Sequence, residues 1–83
     1  MKLTEELFLM NKNRNRLKRF RTYENITNKG NSYMEIDFGY IFRVSTKPVW
    51  KGTRIESIED GLKEYEEMLK EGWKQTNLYR RNF

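Results

Sequence analysis

Between Ser57 and Trp73 the chain reads SIEDGLKEYEEMLKEGW, and no other stretch restricts the possible folds as much. Ile58, Leu62, Tyr65, Leu69 and Trp73 recur at spacings of four, three, four and four, which is one apolar stripe of a helix. Ser57 is a good N-cap, and Asp60, three residues on, can complete a capping box. Glu59 and Asp60 place negative charge at the positive end of the helix dipole. Gly72 suits the left-handed residue just past a helix end, with Trp73 folding back onto Met68 in a Schellman closure. The spacing therefore predicts a helix over 58–71 with one sticky face, and the rest of the chain must supply a flat surface for it to cover.

That surface is expected to be a sheet. Met34, Ile36, Phe38, Tyr40, Phe42 and Val44 alternate without a break, the pattern of a strand with one buried face. Gly39 within the run permits either a bend in one long strand or a tight turn between two. The cluster Asn28-Lys29-Gly30-Asn31-Ser32 marks a turn before the run, and Thr46-Lys47-Pro48 ends it. Residues 49–55 read as the return strand of a hairpin, bulged at Gly52. An earlier strand is expected over about 18–26, where Phe20 and Tyr23 lie among cations. At the start, Thr4 can cap a short helix with Leu3, Leu7 and Met10 on its stripe, fraying at the asparagine-rich residues 11–16. The expected fold is α+β: a short N-terminal helix, a three- or four-stranded antiparallel sheet, and the C-terminal helix packed on one sheet face. Leu69 should then meet Ile36, Phe38 and Phe42. Eighty-three residues make one domain, with residues 11–16 expected as a mobile basic segment and 76–83 as a flexible tail.

Composition narrows the chemistry. The chain has no cysteine and no histidine, which removes disulfides, thiolate metal sites and the commonest general base. No cofactor, metal site or small-molecule substrate is expected. Glu35 and Asp37 share the strand face opposite the apolar one, and are expected to be solvent-facing residues rather than an acid/base pair. The protein is therefore expected to be no enzyme. MKLTEELFLM places two acids before its short apolar run, unlike a signal peptide, and no stretch has membrane-spanning length; a cytoplasmic location is expected.

The charge is unevenly placed. Residues 11–23 carry six cations and no acid, whereas residues 56–71 carry seven acids against Lys63 and Lys70. Such a field steers association with charged partners. Lys12, Arg14, Arg16, Lys18, Arg19 and Arg21, with Arg43, Lys51 and Arg54, are the candidate phosphate-binding residues. Phe20 and Tyr23 could stack on bases. Trp50, beside Lys51 and near Pro48, is the candidate exposed anchor for a protein partner, with Tyr23. The acidic helix face of Glu59, Glu66, Glu67 and Glu71 could be read by a partner as a phosphate mimic.

Two resemblances bear on function. Tyr40-Ile41-Phe42-Arg43-Val44, then Lys51-Gly52-Thr53-Arg54, then Ser57-Ile58-Glu59-Asp60 lie in a segment, 39–69, that resembles the arm-binding domains of tyrosine integrases and AP2-like DNA-binding domains. That resemblance implies a three-stranded sheet that enters the major groove with a helix behind it. The chain has Ile55 and Gly61 where that pattern carries a bulky aromatic and an alanine. The whole-chain order is also similar to small phage inhibitors of CRISPR nucleases, and Leu69-Lys70-Glu71-Gly72-Trp73-Lys74-Gln75 is similar to a helix ending in one of them. Neither resemblance transfers a functional residue. Together with the charge pattern, they lead to the expectation of a small basic binding protein that contacts DNA, RNA or a nucleoprotein surface. The alternative is a phage or mobile-element inhibitor that blocks a host nucleic-acid-processing enzyme.

Overall fold

A computed structural model describes residues 2–24, 32–42 and 47–77. Five strands and one helix follow in the order β1 (Lys2–Met10), β2 (Arg16–Glu24), β3 (Tyr33–Tyr40), β4 (Val49–Glu56), α1 (Ile58–Lys70) and β5 (Lys74–Gln75). The strands form one antiparallel sheet in the order β4-β3-β2-β1-β5. The fold class is α+β as the patterning implies, but the expected N-terminal helix is strand β1, and β1 and β5 bring the sheet to five strands. The physical reason lies in Leu7-Phe8-Leu9-Met10, a run that is apolar at every position. Leu9 is buried on the helix side of the sheet, and Phe8 and Met10 on the other. A strand buried on both faces loses the two-residue alternation, and its periodicity cannot be told from that of a short helix.

Helix α1 is built as its caps require. The Ser57 hydroxyl accepts from the Asp60 N–H at 3.1 Å. Gly72 has φ +102, its N–H donates to the Leu69 carbonyl at 3.2 Å, and the Trp73 N–H donates to the Met68 carbonyl at 3.1 Å, which is the Schellman closure. Ile58, Tyr65 and Trp73 of the expected stripe pack on the core, but the face is turned away from Leu62 and Leu69. Ile58, Gly61, Tyr65 and Met68 meet the sheet, while Leu62 and Leu69 are each 43% exposed. Gly61 decides this rotation. A Cβ at Gly61 would collide with Met34 Sδ, so the helix backbone reaches the sheet only where no side chain intervenes. Leu69 accordingly does not pack on Ile36, Phe38 and Phe42; Met68 takes the inward position, and Phe42 is 74% exposed.

The helix-side core joins Leu9, Phe20, Met34, Ile36 and Met68, with Leu7, Ile58, Tyr65 and Trp73 against it. Tyr65 meets Phe20 edge-on at 5.3 Å between ring centroids. A second cluster on the opposite face holds Phe8, Met10, Leu17 and Ile41, with Trp50 against it. Gly39 lies within β3, with no turn there; the irregularity belongs to β4. Phe38 faces Gly52 and Gly39 faces Trp50, which leaves Lys51 as the extra residue of a bulge, one position before the glycine expected to hold it. Val44, the last residue of the alternating run, lies outside the described residues. No helix among them is long and apolar enough to cross a membrane.

Candidate functional site

The cations of residues 11–23 sit on a hairpin, and strand alternation divides them. Residues 11–15, within the segment 11–16 expected to be mobile, form the β1–β2 turn. The Asn11 carboxamide oxygen accepts from the backbone N–H groups of Asn15 and Arg16 at 3.0 and 2.9 Å, and its nitrogen donates to Asn15 Oδ1 at 2.6 Å. The Asn15 carbonyl accepts from the Ile41 N–H at 2.9 Å, tying the turn to the end of β3. Arg14 takes the left-handed conformation, φ 57, that such a turn needs. Two of the asparagines that make this segment a poor helix, Asn11 and Asn15, are therefore the residues that close the turn.

Beyond the turn, successive β2 side chains go to opposite faces. Arg19 and Arg21 lie on the face away from the helix, each directly across from an acid on β3: Arg19 faces Asp37, and Arg21 faces Glu35. Arg19 Nε is 2.7 Å from Asp37 Oδ2. Arg21 Nη2 is 3.0 Å from Asp37 Oδ1 and 2.9 Å from Glu35 Oε2, and Arg21 Nε is 2.9 Å from Asp37 Oδ2. The Thr53 hydroxyl on β4 donates to Asp37 Oδ1. Asp37 is only 2% exposed, so the expected solvent-facing acid is a buried one whose oxygens are fully engaged. Burial alone pushes its carboxyl up, but the hydrogen bonds from Thr53, Arg19 and Arg21 and the Arg19 charge outweigh that and hold it below its ordinary value. The Arg19 guanidinium also lies 4.4 Å from the centroid of the Trp50 ring. Trp50 is thus half-buried, packed on the second cluster and covered by a cation, rather than an exposed anchor. Tyr23 is half-buried as well, stacked on Tyr33 at 5.4 Å. Arg19 and Arg21 are each ion-paired with a carboxylate, which partly neutralises their charge.

On the helix side the cations have a second set of acids. Arg54 pairs with Glu56 Oε1 at 2.7 Å and with Glu64, and Lys18 Nζ lies 3.8 Å from Glu64 Oε2. Lys12, Arg14 and Arg16 differ: they are exposed and form no ion pair among the described residues. Lys51, on the β4 bulge, is exposed too, and Arg43 lies outside the described residues. Lys74, across from Met10, brings another exposed cation to the end of the sheet where the turn lies.

Beside that end is a cleft of about 290 Å³ lined by Arg16, Leu17, Lys18, Phe38, Gly39, Tyr40 and Trp73. The strand register builds it: Arg16 faces Tyr40 and Lys18 faces Phe38, all on the helix side of the sheet. Helix α1 packs over Met34 and Ile36 and leaves the next two alternating positions uncovered, with Phe38 41% and Tyr40 38% exposed. Phe38 lies across Gly52, where a Cβ would come within 2.7 Å of its ring. The Arg16 guanidinium is 5.7 Å from the Tyr40 ring centroid. Phe38, Tyr40, Trp73 and Lys74 were not among the candidate site residues. The detectable signal was numerical: six alternating apolar strand positions exceed what a helix of 13 residues, about 20 Å long, can cover. Compared with family models, curated proteins and solved structures, the chain matches none of them.

Proposed function

We propose that this protein is a non-enzymatic binder of nucleic acid that engages the phosphate backbone with the β1–β2 turn and the start of β2. The observation that supports this reading is the separation of the cations into two groups. Lys12, Arg14 and Arg16 project at one end of the sheet without ion pairs among the described residues, while Lys18, Arg19, Arg21 and Arg54 have carboxylate partners. Exposed, unpaired cations that release condensed counterions are the source of sequence-independent affinity. The test is fluorescence anisotropy of a labelled duplex across a salt series. Three phosphate contacts give a slope of log K against log salt of about −2.7, and changing Lys12 and Arg14 to alanine reduces its magnitude by about 1.8. Arg19→Ala leaves the slope unchanged, because that guanidinium is bound to Asp37. Absence of binding at about 50 mM salt, where non-specific phosphate binding is strong, overturns the proposal.

One observation favours the alternative, an inhibitor of a host nucleic-acid-processing enzyme: Glu59, Glu66 and Glu67 on α1 and Glu71 at its C-cap are all exposed. That reading requires retention of the enzyme with no nucleic acid present, weakened by Glu66→Gln with Glu67→Gln and untouched by the Lys12 and Arg14 changes.

A further inference from the structure

We infer that the cleft between Trp73 and the ends of β2 and β3 is a stacking site for an unpaired base, so that the preferred ligand is single-stranded. This rests on the nucleic-acid reading above and extends it from phosphates to bases. Three aromatic side chains converge there from two separate parts of the fold, Phe38 and Tyr40 from β3 and Trp73 from the helix closure. Two of them stay about two-fifths exposed in a domain whose other β3 apolar residues on that face are buried. Arg16 and Lys18 come from the neighbouring strand, directly across from the two exposed rings; Lys18 lies 3.8 Å from Glu64, and Arg16 is the one with no ion pair among the described residues. Cations beside exposed ring faces suit a chain of phosphates carrying flat bases, because each base has a π-face and each linkage a negative charge. The charge complementarity continues outward: Arg14 and Lys12 extend the cationic track from Arg16 along the turn. The cleft volume of about 290 Å³ lies just under the range for small-ligand sites, about 300 Å³ upward, which suits one nucleotide rather than a duplex. A duplex keeps its bases stacked on each other and offers such a cleft only phosphates.

The experiment compares a labelled single-stranded oligonucleotide with the duplex of the same sequence at about 50 mM salt, by anisotropy, with quenching of tryptophan emission as a second readout. The single strand binds at least tenfold tighter than the duplex. Phe38→Leu with Tyr40→Leu, which keeps apolar area at two part-exposed positions, weakens single-strand binding at least tenfold and leaves duplex binding unchanged. Lys12→Ala with Arg14→Ala weakens both ligands alike. A Trp50→Phe background isolates Trp73, whose emission is quenched by the single strand and not by the duplex. Thermal melts verify that each variant is folded, and Tyr40→Leu alone serves if the double variant is not. Equal affinity for both ligands, insensitive to the leucine changes, overturns the stacking site while leaving the phosphate reading in place. Absence of binding to either ligand overturns both.

Discussion

Three donor side chains from two strands converge on the carboxylate of Asp37, and the result is a pH-dependent element of stability. Arg19 and Arg21 approach from β2 and Thr53 from β4, so this one residue links three adjacent strands. Burial opposes the charged form, and the hydrogen bonds and the Arg19 charge more than compensate, holding the carboxyl below its ordinary value. Near that value the unfolded chain therefore binds more protons than the folded one, and stability rises with pH. The contribution is complete above the ordinary value and is lost as pH falls through the lowered one. Urea melts between pH 7 and pH 2.5 should show this acid limb. Asp37→Asn should cost about 1.5–3 kcal/mol at pH 7, where charged hydrogen bonds are lost, and should flatten the limb. An equally steep limb in the variant would assign the acid sensitivity to other carboxylates.

At the scale of elements, the contact between α1 and the sheet is governed by where a backbone can come close. Gly61 lies on Met34, and that contact brings Met68 inward beside Ile58 and Tyr65. Moving the contact from Leu62 and Leu69 to Gly61 and Met68 while Ile58 and Tyr65 stay inward is a rotation of about half a residue, roughly 50°. The two leucines consequently keep much of their area in water. Met68→Ala should cost about 2–5 kcal/mol, the range for truncating a buried core side chain. Leu69→Ala should cost less than about 1 kcal/mol, since much of its side chain is solvated in the folded protein. Urea melts of the two variants decide it; a larger loss for Leu69 than for Met68 would refute this rotation.

Across the whole molecule, consecutive strands pair as a meander from β1 to β4, and the chain then crosses back over one face as α1 to set β5 beside β1. The last described segment is thereby hydrogen-bonded to the first strand: Leu9 faces Gln75, Met10 faces Lys74, and the Thr76 N–H donates to the Phe8 carbonyl at 3.0 Å. Removing that donor with Thr76→Pro should cost about 1 kcal/mol. For a domain of this size such a loss lowers Tm by about 4–8 °C. Hydrogen exchange should quicken at Lys74 and Gln75 before the β2–β3 ladder is affected. An unchanged Tm would show that β5 adds nothing to β1.

The sequence alone determined the features whose causes are local. Ser57, Asp60 and Gly72 specify the ends of α1 because caps depend on residues within one turn of each other. Alternation specifies β3 as far as Tyr40 and places Glu35 and Asp37 on the face away from the helix, because a strand has a period of two. Tertiary structure decided what depends on a neighbour remote in sequence. Leu7–Met10 is a strand because apolar groups lie on both sides of it. The inward face of α1 follows from the fit of Gly61 against Met34. The six cations of residues 11–23 read alike in the sequence, but the β2–β3 register brings Asp37 and Glu35 to Arg19 and Arg21 and gives Arg16 the Tyr40 ring instead. Charge at a position is a property of the residue; whether that charge remains available to a ligand depends on which strand lies beside it.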